Sequence, residues 1–161
     1  TREDGRNLMK LRAQLIEKGW RVVAPCTHQG SCPLLSQSNT DWCHDRVLWN
    51  QPAWFKDMEA YLPIKNRTLT FSYLLAFRKN AIDRLSIKNI ASDVARVVGD
   101  SLPEKGKTRQ LVCKDEKRQF LAWMEREGKF LTLPRGVLIQ WPDQFELKSN
   151  EVRLKMNPKI L

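Results

Sequence analysis

Three cysteines stand close together in the N-terminal third of the chain, and a fourth lies far downstream. Five residues separate Cys26 from Cys32 and ten separate Cys32 from Cys43, while Cys113 is the remaining cysteine of the 161-residue sequence. The segment around the first three is rich in proline, glycine and serine, so these thiols can converge without a helix or strand holding them apart. Any fold that unites all four thiols must therefore return residue 113 to the 26–43 segment.

A set of four thiols is typical of a soft or borderline metal centre. Thiolates favour Zn²⁺ or an iron–sulfur cluster over calcium and magnesium. Structural zinc sites usually take their thiols as closely spaced pairs, whereas the wider and uneven gaps here suit a larger cluster whose irons lie apart. The spacing favours an iron–sulfur cluster, with a zinc ion, two disulfides and four unrelated buried thiols as the alternatives.

The two histidines of the chain both stand beside these cysteines. His28 or His44 could replace a cysteine in a site with three thiols. A histidine inside a cysteine loop is as often a hydrogen-bond donor to the bound thiolates. We therefore expect both histidines to support the ligands.

The charge of the chain indicates a polyanionic partner. Lysine and arginine total 28 against 18 acidic residues, a formal net charge of +10. RNA fits such an excess, and a membrane surface is the alternative. No apolar run approaches the roughly 20 residues that span a bilayer, and no signal-peptide pattern opens the chain, so we expect no membrane partner. Thiols that hold a metal imply a reducing compartment.

The N-terminal pattern is typical of the end of a doubly wound sheet. Leucines at helical spacing predict a helix over residues 5–18 with Gly19 as its cap, and residues 20–24 indicate a buried strand. Loops that leave the carboxyl ends of such strands build the binding crevice, and the cysteine segment would leave that edge. Residues 52–61 predict a second short helix, whose apolar side we expect to pack in the core.

Residues 69–77 alternate strictly and predict one strand with a strongly apolar face. Arg78 and Lys79 follow it. An aromatic stripe that ends in two cations could stack RNA bases, but buried aromatic residues are commoner, and we expect this face to be buried.

The residues from 102 to 118 form the most basic stretch of the chain. Phosphate contact and an ordinary solvated loop both suit such a stretch, and its proximity to Cys113 favours a function. The residues predicted to contact RNA are Arg78, Lys79, Lys105, Lys107, Arg109, Lys114, Lys117 and Arg118.

The C-terminal part predicts a helix followed by strands. Asp115 and Glu116 suit the first turn of a helix running to Glu127. Residues 137–141 then indicate a strand, and residues 145–156 a β-hairpin that turns at Ser149–Asn150. Several short strands could close into a small barrel-like module, a shape often used to bind RNA.

Three strings carry a resemblance to a known family: PC-x-H-x-G-x-CPL at residues 25–34, DWCH at 41–44 and FSYLLAFRK at 71–79. They resemble the methyltransferase-like ribosomal small-subunit assembly family, from the first helix to at least Cys113. The resemblance implies a four-iron, four-sulfur cluster and a partner that is the ribosomal small subunit or its rRNA. The cluster ligands it implies are Cys26, Cys32, Cys43 and Cys113.

The resemblance also implies a domain that these residues do not contain. Family members carry a Rossmann-like S-adenosylmethionine domain N-terminal to this region. No G-x-G-x-G string occurs here, and without that turn the cofactor has no backbone cradle. We therefore expect S-adenosylmethionine to bind only through the missing domain, and this segment alone not to catalyse a reaction.

Two departures from the family pattern affect the surroundings of the cluster. Family members commonly read PCPHD where this chain has PCTHQ, and an aromatic residue often stands at the position of Asp45. All four thiols survive these changes, so only the groups around the cluster, and hence its potential, differ.

The sequence thus predicts an α/β fold. Residues 1–100 would be the C-terminal end of a Rossmann-like methyltransferase sheet with a cysteine-rich metal-binding loop, and residues 101–161 a basic β-rich extension. The predicted function is that of a cluster-bearing small-subunit assembly factor that binds rRNA, in a bacterial cytoplasm or a mitochondrial matrix. The alternatives are an rRNA methyltransferase completed by the missing domain, a zinc-stapled RNA-binding domain and a redox sensor.

Overall fold

A computed structural model of the chain describes residues 1–63, 65, 67–78, 80–81, 93–128 and 132–161. The predicted RNA contact Lys79 lies outside these residues. Helices and strands alternate in the first half, and strands dominate the second. In chain order the elements are α1 Arg2–Glu17, β1 Trp20–Ala24, α2 Pro33–Ser36, β2 Asp45–Leu48, α3 Ala53–Glu59, β3 Thr68–Phe71, β4 Leu75–Arg78, β5 Val94–Glu104, β6 Lys107–Lys114, β7 Lys117–Met124, β8 Leu138–Gln140, β9 Phe145–Lys148 and β10 Glu151–Leu154.

The first helix and strand form where the sequence predicts them. Thr1 caps α1 by a capping box with Asp4, so the helix begins earlier than its leucine pattern indicates. Gly19, with a φ of 79°, supplies the left-handed residue that ends it. β1 pairs antiparallel with β4. Within the described part of the chain β1 has no parallel neighbour, and the Rossmann-like sheet stays a prediction.

The prediction of one buried strand over residues 69–77 is wrong. The segment is broken into β3, which pairs with β2, and β4, which pairs with β1. Ser72 and Tyr73 leave the ladder between them, because their side chains bond the Cys43 carbonyl and Arg96 respectively. The apolar face is not buried either, since Phe71 and Leu75 are 42% and 48% exposed.

The second predicted helix is present as α3, but its apolar side does not pack in the core. Trp54 is 65% exposed and Met58 is 50% exposed. The neighbouring hairpin of β2 and β3 also presents apolar residues to solvent, including Leu48 and Leu69. Alternation and helical spacing predict an element's apolar face but not whether another element covers that face.

The second half of the described chain forms a six-stranded sheet in the order β8-β5-β6-β7-β10-β9. Every pair is antiparallel except β7 with β10. The predicted helix over residues 115–127 is wrong. Asp115 and Glu116 instead form the turn of a hairpin, in which Asp115 has a φ of 51°, and β7 follows. Leu121 and Trp123 alternate inward as a strand requires.

The predicted C-terminal hairpin is confirmed, because β9 and β10 pair around Ser149–Asn150. β8 and β9 are the two ends of the sheet, yet only residues 141–144 separate them along the chain. The sheet therefore curls around a core to which its strands contribute, in agreement with the barrel-like module predicted above. β5 crosses residue 100, where the sequence places the boundary between two units. The core residues are Ala95, Val97, Val112, Leu121, Trp123, Leu133, Ile139, Val152 and Leu154.

Candidate metal centre

All four cysteines line one pocket between the N-terminal half and the six-stranded sheet. Cys26 and Cys32 lie in the loop after β1, Cys43 comes two residues before β2, and Cys113 lies on β6. The pocket is otherwise mainly apolar and also contains Arg96. All four thiols are free, so the two disulfides considered above do not form. The fold therefore returns residue 113 to the 26–43 segment, as a common centre requires.

The thiols share the pocket without forming a site shaped for one ion. Among the residues that the structure describes, no three cysteine, histidine or acidic side chains are arranged so that they could hold a metal ion. Burial raises the pKa of the Cys26 and Cys113 thiols, and raises the pKa of Cys43 to about 12. Buried thiols of this kind become thiolates when a cation binds them.

Arg12 of α1 lies fully inside the protein beside the first cysteine. Its side chain is 1% exposed, and its Nε donates to Cys26 Sγ at 3.0 Å. Its Nη1 and Nη2 donate to the carbonyls of Gly30 and His28 at 2.8 and 2.7 Å. No carboxylate pairs with this guanidinium in the described residues. A buried arginine without a carboxylate is suited to an anionic sulfur centre.

Other arginines hold the rest of the cysteine segment. Arg96 donates to Asp45 at 2.5 Å and to the Tyr73 hydroxyl at 2.9 Å. Arg6 and Arg135 donate to the carbonyls of Asp41 and His44, at 2.5 and 2.9 Å. Arg118 of β7 pairs with the Asp41 carboxylate. Together these residues form the arginine set of the segment: Arg6, Arg12, Arg96, Arg118 and Arg135.

The two histidines occupy different positions. His28 lines the pocket, and its Nε2 lies 3.9 Å from Cys113 Sγ. Its Nδ1 is buried without a hydrogen-bond partner. His44 is not among the pocket residues; its ring stacks on Trp42 and its Nδ1 lies 3.4 Å from Arg135. The structure thus brings His28, but not His44, to the thiols.

The glutamine that departs from the family pattern has a local role. Gln29 Nε2 donates to the Val22 carbonyl at 2.7 Å, and its Oε1 accepts from the Val22 amide at 2.9 Å. The side chain thus pairs with β1 as a neighbouring strand would. Gln29 therefore holds the cysteine loop against β1.

The donor set fits a sulfur-ligated centre in its chemistry. Four free thiols line one pocket, a buried guanidinium donates to one of them, and His28 Nε2 lies 3.9 Å from another. These features suit thiolates with a negative charge shared among them. Cys26, Cys32, Cys43 and Cys113 are the residues that would hold the group.

Sequence reasoning missed four of the five arginines that hold the cysteine segment, namely Arg6, Arg12, Arg96 and Arg135. Arg12 and Arg96 both contact the cysteine segment or its pocket. The sequence could have indicated Arg12, because it falls on the apolar side of α1 between Met9 and Ile16, where a charged residue needs a buried partner. No local pattern indicates a role for Arg96, because its partner Asp45 is far away in sequence.

The predicted RNA contacts do not form one patch. Lys114, Lys117 and Arg118 lie near the turn between β6 and β7, beside the cysteine segment. Lys105, Lys107 and Arg109 lie at the opposite end of this hairpin. Arg78 is exposed on β4, with its guanidinium 5.4 Å from the centre of the Trp20 ring.

Glu151 makes stability depend on pH in the acidic range. The hydrogen bond from Lys107 lowers the pKa of Glu151, and Arg109 acts in the same direction. A carboxyl group whose pKa is lower in the folded state than in the unfolded state stabilises the fold at pH values above the unfolded-state pKa, which is about 4.3 for glutamate. This stabilisation is lost as the pH falls through the folded-state pKa. Thermal unfolding should show that the wild-type protein loses stability on the order of 1 kcal/mol between pH 6 and pH 3. The Glu151→Gln variant should not show this loss. Identical pH profiles would contradict this.

A comparison with known families now places the chain. The family described as mitochondrial small ribosomal subunit Rsm22 matches residues 1–146, which include all four cysteines. The chain belongs to the Rsm22 family. This methyltransferase-like family is the one its cysteine strings resemble. A search of curated proteins gives no match to this Rsm22 chain. No helix in its described residues is long and apolar enough to cross a membrane.

Proposed function

We propose that this Rsm22-family chain is the iron–sulfur-bearing part of a small-subunit assembly factor that binds rRNA in the mitochondrial matrix. The observation that carries the proposal is the single pocket shared by four cysteines from two distant parts of the chain. The family name supports the ribosomal and mitochondrial parts of the proposal. The net charge of +10 supports a polyanionic partner.

A four-iron, four-sulfur cluster suits the pocket better than zinc. One zinc ion requires all its sulfurs at about 2.3 Å from a single point. A cluster binds each thiolate to a different iron, so its ligands remain apart. The wide and uneven spacing of the four cysteines, which come together in one pocket, supports the second case. When bound, the cluster would supply bonds between the two halves, and Arg12 would offset its charge.

The role proposed for the centre is structural. The cysteine segment contains one short helix, α2, and is otherwise irregular between β1 and β2. Side-chain bonds hold the segment to α1 on one side and to the six-stranded sheet on the other. Arg12 of α1 and Arg118 of β7 make two of these bonds. Metal bonds add folding energy to such a loop, which has little core of its own. The proposal also includes the predicted Rossmann-like methyltransferase sheet, whose C-terminal end would lie in residues 1–100. Any S-adenosylmethionine would bind through an N-terminal domain.

The function is tested by binding of the anaerobically purified protein to a small-subunit rRNA transcript. We expect binding that weakens steeply as salt rises from 50 to 200 mM, because phosphates release counterions. The Cys43→Ser variant should bind more weakly, since its loop is no longer held. A protein that does not prefer this transcript to an unrelated RNA of equal length would contradict the rRNA role. Methyl transfer by the full-length protein would add the enzymatic alternative.

A further inference from the structure

The connectivity of the six-stranded sheet defines a known binding architecture. β5, β6 and β7 form a meander, and β10 lies parallel to β7 between β7 and β9. β8 pairs with β5 and β9 pairs with β10, so residues 138–148 act as one interrupted strand that joins both ends of the sheet. This is the strand arrangement of the OB fold, a five-stranded Greek-key barrel. Its second and third strands, which are β6 and β7 here, carry the binding face.

The outer face of β6, β7 and β10 is rich in cations. Val112, Leu121 and Trp123 point into the barrel core, so their neighbours along each strand point outward. One end of this outer face holds Cys113 and Arg118, and the cysteine segment packs against it. The rest of it we call the basic face, which consists of Lys107, Arg109, Leu111, Phe120, Ala122, Met124, Glu151 and Arg153.

The basic face combines a stacked aromatic with cations that are only partly satisfied. The Arg109 guanidinium lies over the Phe120 ring, 4.5 Å from its centre. Ala122 beside them is 0% exposed, because longer side chains cover it. Lys107, Arg109 and Arg153 all pair with the carboxylate of Glu151, and Lys107 and Arg109 also pair with Glu104, so three cations share two carboxylates. The Nε atoms of Arg109 and Arg153 are buried without a hydrogen-bond partner.

We infer that the basic face binds single-stranded RNA. The bases stack on Phe120 and on the Arg109 plane, and the phosphates contact Lys107 and Arg153. Stacking on aromatic rings requires unpaired bases, which excludes a regular duplex. The cysteine segment forms one wall of this face, which couples the metal centre to RNA binding. This inference rests on the proposed function, and it specifies the form of RNA and the residues that contact it.

The inference is tested by fluorescence anisotropy of the intact, anaerobically purified chain with a labelled twelve-nucleotide uridine RNA. The double variant Lys107→Gln, Arg153→Gln removes both proposed phosphate contacts. It should weaken binding at least about tenfold and make the salt slope shallower by about 1.4, since each phosphate contact contributes about 0.7. Phe120→Leu should weaken binding about tenfold with an unchanged salt slope, because stacking releases no counterions. A duplex of equal length should compete poorly.

A matched control separates this face from general charge. Arg2→Gln, Lys10→Gln removes two exposed cations from α1, which is not part of the basic face, and should leave the affinity within about threefold. Thermal unfolding of each variant checks that the barrel is intact, and Phe120→Leu is conservative enough to remain folded. Equal weakening by both double variants, or no effect of Phe120→Leu, would overturn the inference and leave rRNA binding in place. A wild-type chain that binds no RNA would overturn both, while the iron content would still test the cluster.

Discussion

Replacement of Cys113 by serine should abolish the cluster absorbance and lower the unfolding temperature by about 10 °C. Cys113 is the one thiol contributed by the six-stranded sheet, so its loss separates that sheet from the three thiols of the cysteine segment. A structural metal site supplies folding energy directly, and loss of about 3 kcal/mol corresponds to roughly 10 °C for a chain of this size. Absorption spectra and thermal unfolding of anaerobically purified protein measure both effects.

Two controls show whether this loss acts through the metal. Ser31→Ala changes an exposed side chain one residue before Cys32 and should leave the spectrum and stability unchanged. Wild-type protein stripped by a chelator should unfold within about 3 °C of Cys113→Ser, because neither then has the centre. A variant that keeps its full absorbance would show that Cys113 is not a ligand.

Replacement of Arg12 by methionine should destabilise the holoprotein by about 3 kcal/mol. The change removes three hydrogen bonds from a buried cation, and such bonds contribute about 1.5–3 kcal/mol each. The cost of burying the charge is removed with them and offsets part of this sum, which leaves a net loss of about 3 kcal/mol. Methionine has a similar volume, so the loss reports on charge and hydrogen bonding more than on packing. Denaturant unfolding of the holoprotein measures it, and the absorbance should also bleach faster in air.

The conservative variant and a neighbour complete this test. Arg12→Lys keeps the positive charge but cannot reach three acceptors at once, so its stability should lie between those of wild type and Arg12→Met. Lys10→Met, on the exposed side of the same helix, should change stability by less than about 0.5 kcal/mol. Equal stability of wild type and Arg12→Met would contradict the role given to this guanidinium.

The sequence predicted those elements whose signals are local. α1, β1 and the hairpin at Ser149–Asn150 each combine a clear period with a turn or capping residue in the same few residues. The convergence of the four thiols was predicted for a different reason. If the four cysteines bind one metal centre, the fold must bring them together.

The errors arose where distant contacts decide the structure. Residues 115–127 suit a helix in composition, but the pairing of β7 with β6 and β10 makes them a turn and a strand. Residues 69–77 alternate as one strand, but bonds from Ser72 and Tyr73 to the cysteine segment divide them. Tertiary pairing overrides a local pattern in both cases. The OB arrangement likewise emerges only when the strand order is known.

The iron and acid-labile sulfide content of the anaerobically purified chain tests the central claim most directly. We predict about four irons and four sulfides per chain, with an absorption band in the blue part of the visible spectrum. One zinc ion without sulfide would contradict the cluster and leave a simple structural staple on the same thiols. Absence of iron, zinc and sulfide would contradict any metal centre at Cys26, Cys32, Cys43 and Cys113.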